Sequence, residues 1–197
     1  QLRLSGGTAF RSLDALERSG YVRRHLASSR YVPGGMVHRL RQRLFASYPL
    51  RNVAMPYLRQ LAFASGETSS LTVMVGWYAV RIAAAPGTND VTSSPPLGQV
   101  GTLADHAAGH AMLAFRSDID RFAAWAQHRG LARAALDAVD AELPLIRQRR
   151  FALQPMSFPA GRASLALPVR GPHGAVAAIA VEGPVLDLDK ACYHDDL

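Results

Sequence analysis

The stretch TAFRSLDALERSGYVRR, residues 8–24, joins a short helical pattern to a strongly basic continuation. Ala9, Leu13 and Leu16 recur at helical spacing and form one apolar face. Ser19–Gly20 is a typical helix stop, because glycine adopts the left-handed conformation that ends many helices. The pattern therefore predicts a short amphipathic helix whose other face is polar.

A small basic hairpin is predicted to follow this helix. Residues 21–24 and 30–32 each have strand character, and HLASS between them can turn the chain. Pro33, Gly34 and Gly35 then break the pattern. The first block of the chain therefore reads as helix, hairpin and break.

The positive charge of the chain is concentrated in its first quarter. Residues 1–51 hold ten arginines against two acids, Asp14 and Glu17, whereas the whole chain of 197 residues carries a formal charge of +7. The remainder is thus close to neutral. A localised positive block favours a polyanionic partner for that block alone, the alternative being a basic face that serves solubility.

The remainder of the chain predicts a mixed α/β body of about 145 residues, consistent in size with one domain. Pro56 and Pro144 lie within predicted helices and leave their starts uncertain. The segment 86–101 is rich in Pro, Gly, Ser and Thr and is expected to be a mobile loop. Helices are predicted at 36–46, 51–64, 106–115, 119–129 and within 137–150, and strands at 71–75, 80–84, 151–154, 164–169 and 175–182.

An arginine-bearing helix beside a basic hairpin suits duplex DNA. The major groove admits a helix, arginine donates to guanine or to phosphate, and a hairpin can contact the backbone as a wing. A recognition helix normally packs on two earlier helices, so we expect the natural N-terminus to be missing from this chain. The candidate DNA-binding residues are Thr8, Phe10, Arg11 and Ser12 on the helix and Arg23, Arg24 and Arg30 on the hairpin. For Phe10 the alternative to a DNA contact is that its side chain packs beneath the helix.

Other functional classes find little support. No G-x-S-x-G elbow or phosphate-binding glycine loop is present, so an enzyme built on His106 and Asp105 is a weak alternative. His106 and His110 share a helix face, but a third metal ligand at a telling distance is lacking, and neither a metal nor a cofactor is expected. No apolar run approaches the roughly 20 residues of a membrane span. A single cysteine, Cys192, is typical of a cytoplasmic protein.

Four segments in order carry a resemblance to a known family. LSGGTAFRSLDALERSGYVRR…SRYVPG resembles the second half of the winged helix-turn-helix domain of IclR-type bacterial transcription factors. LRNVAMPYLRQLAFASGETSSLTVMVGWYAV, ADHAAGHAMLAF and AELPLIRQRRFAL…GRASLALPVRGPHGAVAAIAVEGP are similar to the start, central helix and closing strands of its effector-binding domain. The resemblance spans essentially the whole chain.

This resemblance implies an α+β protein with three parts. Residues 1–34 would be a partial winged helix-turn-helix domain, 35–49 a linker helix, and 50–197 a GAF-like effector-binding domain, an antiparallel sheet flanked by helices whose last helix is truncated. The protein would bind a palindromic operator as a dimer or tetramer and respond to a small organic molecule. The alternative is a sensor or dimerisation module without DNA binding.

The resemblance also places the effector pocket. Its expected lining is Leu71, Val73, Val75, Trp77, Leu103, Asp105, His106, Gln154, Ser157 and Ser164. Gln154 stands where many members have Asp, and Met156 and Phe158 add apolar bulk, which favours an aromatic compound or an organic acid of low polarity. Two further departures are His110, expected on the surface where the family has lysine, and Arg150, which replaces a common glycine.

Overall fold

A computed structural model of the chain describes residues 5–28, 30–46, 48–89, 97–155 and 161–185. The chain divides into two compact units, Gln1–Pro49 and Leu50–Leu197. Among the described residues, no helix combines the length and apolar character that crossing a membrane requires.

The first unit is a helix, a two-stranded hairpin and a second helix. Helix α1 (Gly6–Arg18) begins after Ser5, whose Oγ accepts a hydrogen bond from the Thr8 backbone N–H at 3.3 Å. After this helix the chain forms the antiparallel strands β1 (Val22–Arg24) and β2 (Tyr31–Pro33) and then helix α2 (Gly35–Ala46). The predicted helix, basic hairpin and following helix are confirmed.

The turn between α1 and β1 depends on glycine. Gly20 has φ +75°, and its carbonyl lies where a Cβ on Gly34 would be only 2.2 Å away. The N–H groups of Gly20 and Tyr21 donate to the carbonyls of Glu17 and Leu16, the pattern of a Schellman stop. The Ser19–Gly20 stop signal is thereby confirmed.

The second unit is a six-stranded antiparallel sheet with helices. The strand order is β5-β4-β3-β8-β7-β6, and all neighbouring strands run antiparallel. The elements are α3 (Pro49–Ser65), β3 (Thr68–Val75), β4 (Tyr78–Ala85), β5 (Val100–Thr102), α4 (Ala107–Leu113), α5 (Ile119–His128), α6 (Arg133–Arg149), β6 (Ala152–Pro155), β7 (Arg162–Gly171) and β8 (Gly174–Pro184).

Helix α3 buries one narrow stripe. Ala54, Leu58 and Ala62 recur every four residues and are buried. The Oγ of Ser69 on β3 donates to the carbonyl of Leu58 at 2.6 Å, so odd-numbered side chains near the start of β3 point to the α3 side. Pro56 lies inside this helix and does not begin it.

Helix α4 is buried at every residue from Ala107 to Leu113 and packs against strands β7 and β8. Gly109 also lets the helix lie against the segment that precedes it, because an added Cβ would be 2.1 Å from the carbonyl oxygen of Leu103, directly after β5. The facing strands contribute buried alanines, among them Ala166 and Ala178. The core of the second unit therefore forms around a short buried helix that combines small residues with the large side chains of Met112 and Leu113.

Two features differ from the sequence expectation. Strand β5 lies at the end of the segment expected to be a loop, and pairs with β4 at the edge of the sheet. Residues 90–96 of that segment lie outside the described residues. Helix α6 begins at Arg133, four residues before the predicted range, and contains Pro144.

Replacing Gly109 by alanine should destabilise the second unit. The new Cβ meets backbone, which cannot move aside as a flexible side chain can. We expect the free energy of unfolding to fall by about 1–3 kcal/mol, the usual cost of overpacking. Urea unfolding followed by circular dichroism measures this.

Gly7→Ala in α1 is the matched control, because nothing lies within 4 Å of its added Cβ. This variant should keep or slightly raise stability, since alanine favours helix. Equal stability of the Gly109→Ala variant and the wild type would contradict the close packing of α4.

Candidate functional site

A cavity of about 430 Å³ opens between the sheet and the N-terminal end of α4. Strands β3, β4, β7 and β8 form its floor, and the segment around β5 and α4 forms its wall. Its lining residues are Ser70, Thr72, Arg81, Gln99, Val100, Gly101, Asp105, His106, Ala107, Ala108, Gln154, Pro155, Ser164, Ala180 and Glu182. The volume lies within the range of small-molecule sites in proteins.

A buried ion pair crosses the floor of the cavity. Arg81 on β4 and Glu182 on β8 are hydrogen-bonded through one carboxylate oxygen, and both residues are buried. The second carboxylate oxygen of Glu182 is buried and finds no hydrogen-bond partner in the described structure. The Oγ of Ser70, on the strand between them, is in the same situation.

A second ion pair supports the first. Arg162 on β7 donates to Glu67 at 2.7 Å and also to the backbone carbonyl of Glu182. Asn89 donates to the other Glu67 oxygen at 2.8 Å. The charges at this end of the sheet are therefore held in fixed positions by hydrogen bonds, as buried charges require.

Asp105 and His106 lie where the chain enters α4. Asp105 accepts a hydrogen bond from the Thr102 backbone N–H, and His106 precedes the first helical residue. Burial lowers the pKa of His106 below its ordinary value; Arg81 and His110 lower it further, and Asp105 opposes them. The imidazole of His106 is consequently neutral at pH 7.

A hydrogen-bonded cluster lies beside the cavity. His110 Nε2 donates to the Ala104 carbonyl at 3.0 Å, and His110 Nδ1 lies 2.6 Å from a Glu142 oxygen. The Gln154 amide nitrogen lies 2.6 Å from His110 Nδ1 and donates to Glu142 at 3.2 Å. Burial raises the pKa of Glu142, but His110, Gln154 and Arg149 together outweigh it and leave a net lowered pKa.

The expectation that His110 is a surface group is wrong. Its side chain is 5% exposed, because α4 is buried on all sides and Glu142 of α6 supplies a polar partner. Asp105, His106 and His110 do not form a metal site: no group of three or more His, Cys, Asp or Glu side chains suited to a metal occurs in the described part of the chain.

Four of the predicted effector-binding residues line the cavity: Asp105, His106, Gln154 and Ser164. Ser157, with its neighbours Met156 and Phe158, lies outside the described residues. The other five, Leu71, Val73, Val75, Trp77 and Leu103, do not line it.

The positions of these five residues in the fold explain why they do not line the cavity. Leu71 and Val73 share the α3-facing side of β3 with Ser69, so the alternate residues Ser70 and Thr72 face the cavity. Val75 ends the strand half-exposed. Trp77 packs on Phe122 in α5 with ring centroids 5.8 Å apart, and Leu103 is fully buried in the core.

The sequence analysis missed the ion pair that forms the polar floor. Arg81 and Glu182 are single charges inside the apolar strands YAVRIAAA and GAVAAIAVEGP. A single charged residue inside an apolar strand is rarely buried without a partner of opposite charge. The isolated charges therefore could have indicated a buried ion pair. Ser70 and Thr72 give a weaker signal, as polar residues alternating with Leu71 and Val73.

The seven candidate DNA-binding residues lie on α1 and the hairpin. Thr8 is half-buried near the N-terminus of α1, and Arg11 and Ser12 are exposed. Phe10 is 59% exposed, so it does not pack beneath the helix within the described structure. Arg23 and Arg30 are exposed on the hairpin.

Arg24 differs from the other arginines in having internal partners. It donates to the Tyr31 hydroxyl at 3.1 Å and lies 3.7 Å from a Glu17 oxygen. The hydrogen bond and charge of Tyr31, followed by the charge of Glu17, raise the pKa of Arg24. Its guanidinium is thus held against the hairpin and α1.

The lowered pKa of His106 predicts a pH dependence of stability. Between the folded-state pKa and the ordinary value of about 6.5, the unfolded chain binds more protons. Stability should therefore fall as the pH drops below about 6.5, with a slope of at most about 1.4 kcal/mol per pH unit from this group. Urea unfolding at several pH values measures it.

In this series the His106→Gln variant should show a flatter dependence of stability on pH than the wild type. Identical pH profiles for the wild type and His106→Gln would contradict the assignment.

Comparisons with known proteins agree with this architecture. An HTH-type transcriptional regulator of Haemophilus influenzae, itself uncharacterized, is 29% identical over 95% of this chain and 74% of that protein. The crystal structure of an IclR-family transcriptional regulator from Brucella abortus has a TM-score of 0.80 at 21% identity, over 98% of this chain and 75% of that one. A putative transcriptional regulator from Rhodococcus sp. RHA1 has a TM-score of 0.71 at 26% identity, over 98% and 79%.

The family model for the C-terminal domain of the bacterial transcriptional regulator IclR matches residues 42–195, which include every strand of the six-stranded sheet. The match covers more than half of the chain, and the resemblance read from the sequence is confirmed. The chain belongs to the IclR family of bacterial transcriptional regulators.

Proposed function

We propose that this regulator binds duplex DNA through its first unit and receives a small organic effector in the cavity of its second unit. The observation that carries the proposal is the polar-floored cavity of about 430 Å³ inside a domain of a regulator family. In this proposal the first unit contacts DNA and the second unit binds the effector.

The arginine positions support DNA binding. Arg11, Arg23 and Arg30 are exposed, and no ion pair joins them to an acid among the described residues. Exposed guanidinium groups donate to phosphate and to guanine edges, and the N-terminal end of a helix such as α1 attracts phosphate. Arg24 contributes less, because Tyr31 and Glu17 already engage it.

The effector half is supported by the chemistry of the cavity wall. Alanines and Val100 supply apolar surface, while Thr72, Ser164 and the Arg81–Glu182 pair supply hydrogen-bonding groups. Sites for small organic molecules typically combine such an apolar lining with a few fixed polar groups.

The family supports three finer proposals. We propose that the protein acts as a dimer or tetramer, that its operator is palindromic, and that it works in the cytoplasm. A symmetric dimer binds a two-fold symmetric site because each subunit contacts one half-site.

A sensor or dimerisation module without DNA binding is the competing function. Its support is Gly6–Gly7 at the start of α1, where two glycines lower helix propensity. The Ser5 cap offsets part of that cost. Salt-dependent binding of the full chain to duplex DNA distinguishes the two functions, since neutralised phosphates release counterions.

Arg11→Ala should weaken DNA binding by about 1–3 kcal/mol, the cost of a lost bidentate base contact. The probe is a duplex selected from a random library by binding to the wild-type protein, and a mobility-shift titration gives the affinity. Arg133→Ala is the control, because Arg133 is an exposed arginine of the second unit.

The control should bind like the wild type. Wild-type affinity in Arg11→Ala would remove this residue from the DNA contact, and the absence of salt-dependent binding by the wild type would overturn DNA binding itself.

A further inference from the structure

The charge balance of the cavity disfavours an organic acid, one of the two ligand classes expected from the sequence. Among the described residues, its lining contains one guanidinium, Arg81, against two carboxylates, Asp105 and Glu182. His106 adds no positive charge at pH 7, because burial lowers its pKa. The net charge of the lining is therefore negative.

The one guanidinium of the lining is also engaged. Arg81 is paired with Glu182 across the floor, and the neighbouring Arg162 is paired with Glu67. An anionic ligand would have to compete with Glu182 for Arg81 while lying near Asp105. Both effects disfavour a carboxylate, because like charges in a partly buried site repel strongly.

Two buried acceptors of the floor point to the complementary ligand group. One carboxylate oxygen of Glu182 and the Oγ of Ser70 have no hydrogen-bond partner in the described structure. Both residues line the cavity, and their side chains are at least nine-tenths buried. Buried polar atoms are normally paired, so unpaired ones in a cavity mark where a ligand binds.

The sheet register places these acceptors together. Ser70 pairs with Ala180, two residues from Glu182 on β8, and Glu182 pairs with Ser164 on β7. Diagonal neighbours on adjacent strands lie within reach of one ligand group. Ala107, Ala108 and Ala180 supply apolar surface around them.

We propose that the effector carries a protonated amine, which donates hydrogen bonds to Glu182 and Ser70, attached to an apolar body that lies against the alanines. This assignment rests on the proposed effector function of the cavity and argues against the organic acid, one of the two ligand classes expected from the sequence.

Four phenols with the same ring and different side-chain groups test the assignment: tyramine with an amine, 4-ethylphenol with neither charge, 3-(4-hydroxyphenyl)propanoate with a carboxylate, and tyrosine with both. Isothermal titration of the full chain should give the tightest binding for tyramine, weaker binding for tyrosine, whose carboxylate the lining disfavours, and the weakest for the propanoate. Tighter binding of the propanoate than of tyramine would overturn the proposal that the effector carries an amine. Binding of none of the four compounds would overturn it as well.

Adjacent serines provide a matched pair of variants. Ser70→Ala should leave stability unchanged or raised, because its Oγ has no partner, and should weaken binding of the amine roughly tenfold or more. Ser69→Ala removes the hydrogen bond to Leu58 on the opposite face, so it should lower the unfolding temperature and keep the affinity. Equal effects of both variants on the amine affinity would contradict the proposal.

Glu182→Gln removes the carboxylate that pairs with Arg81, so the preference of this variant should shift from the amine towards the propanoate. An unchanged preference in this variant, if folded by circular dichroism, would also overturn the assignment. DNA binding is measured on the same samples, so that the two proposals can be tested separately. If DNA binding remains salt-dependent and the amine is not preferred, only the amine assignment is overturned.

Discussion

The close packing of α4 is the constraint on which the second unit depends. Gly109 lies against the Leu103 carbonyl with no room for a methyl group, and Ala166 and Ala178 face the helix from the sheet. Every residue of α4 is buried, the large side chains of Met112 and Leu113 included. At the N-terminal end of the helix a cavity opens, and Ala107 and Ala108 line it together with Asp105 and His106. The tightly packed helix and the cavity therefore adjoin at this end.

Burial of α4 also explains the polar groups beside the cavity. His110 lies on the buried helix, and Glu142 and Gln154 satisfy its ring from α6 and β6. On the cavity side, Glu182 uses only one of its carboxylate oxygens for Arg81. The first arrangement is complete within the protein, whereas the second leaves acceptors available. This difference separates a cluster whose polar groups are paired within the described structure from the one that we propose binds the ligand, although the two adjoin.

Most elements of the fold could be predicted from local patterns, because helical spacing, strand composition and glycine turns are encoded within a few residues. Strand β5 could not, since its three residues form a strand only by pairing with β4. The residues of the candidate site were harder to predict from the sequence than the fold. Asp105, His106, Gln154 and Ser164 were placed by family resemblance, but the choice of Leu71 and Val73 assumed an apolar floor. Arg81 and Glu182 are 101 residues apart, and only the strand order brings them together.

The central claim is that the acceptors on the cavity floor bind a ligand. A crystal structure of the full chain, purified from its own host without added ligand, tests this most directly. We expect density for a small molecule with a hydrogen-bond donor facing the unpaired oxygens of Ser70 and Glu182. A cavity filled by neighbouring side chains would contradict the claim. A cavity that holds only water, in a protein sample that still binds DNA, would contradict it as well.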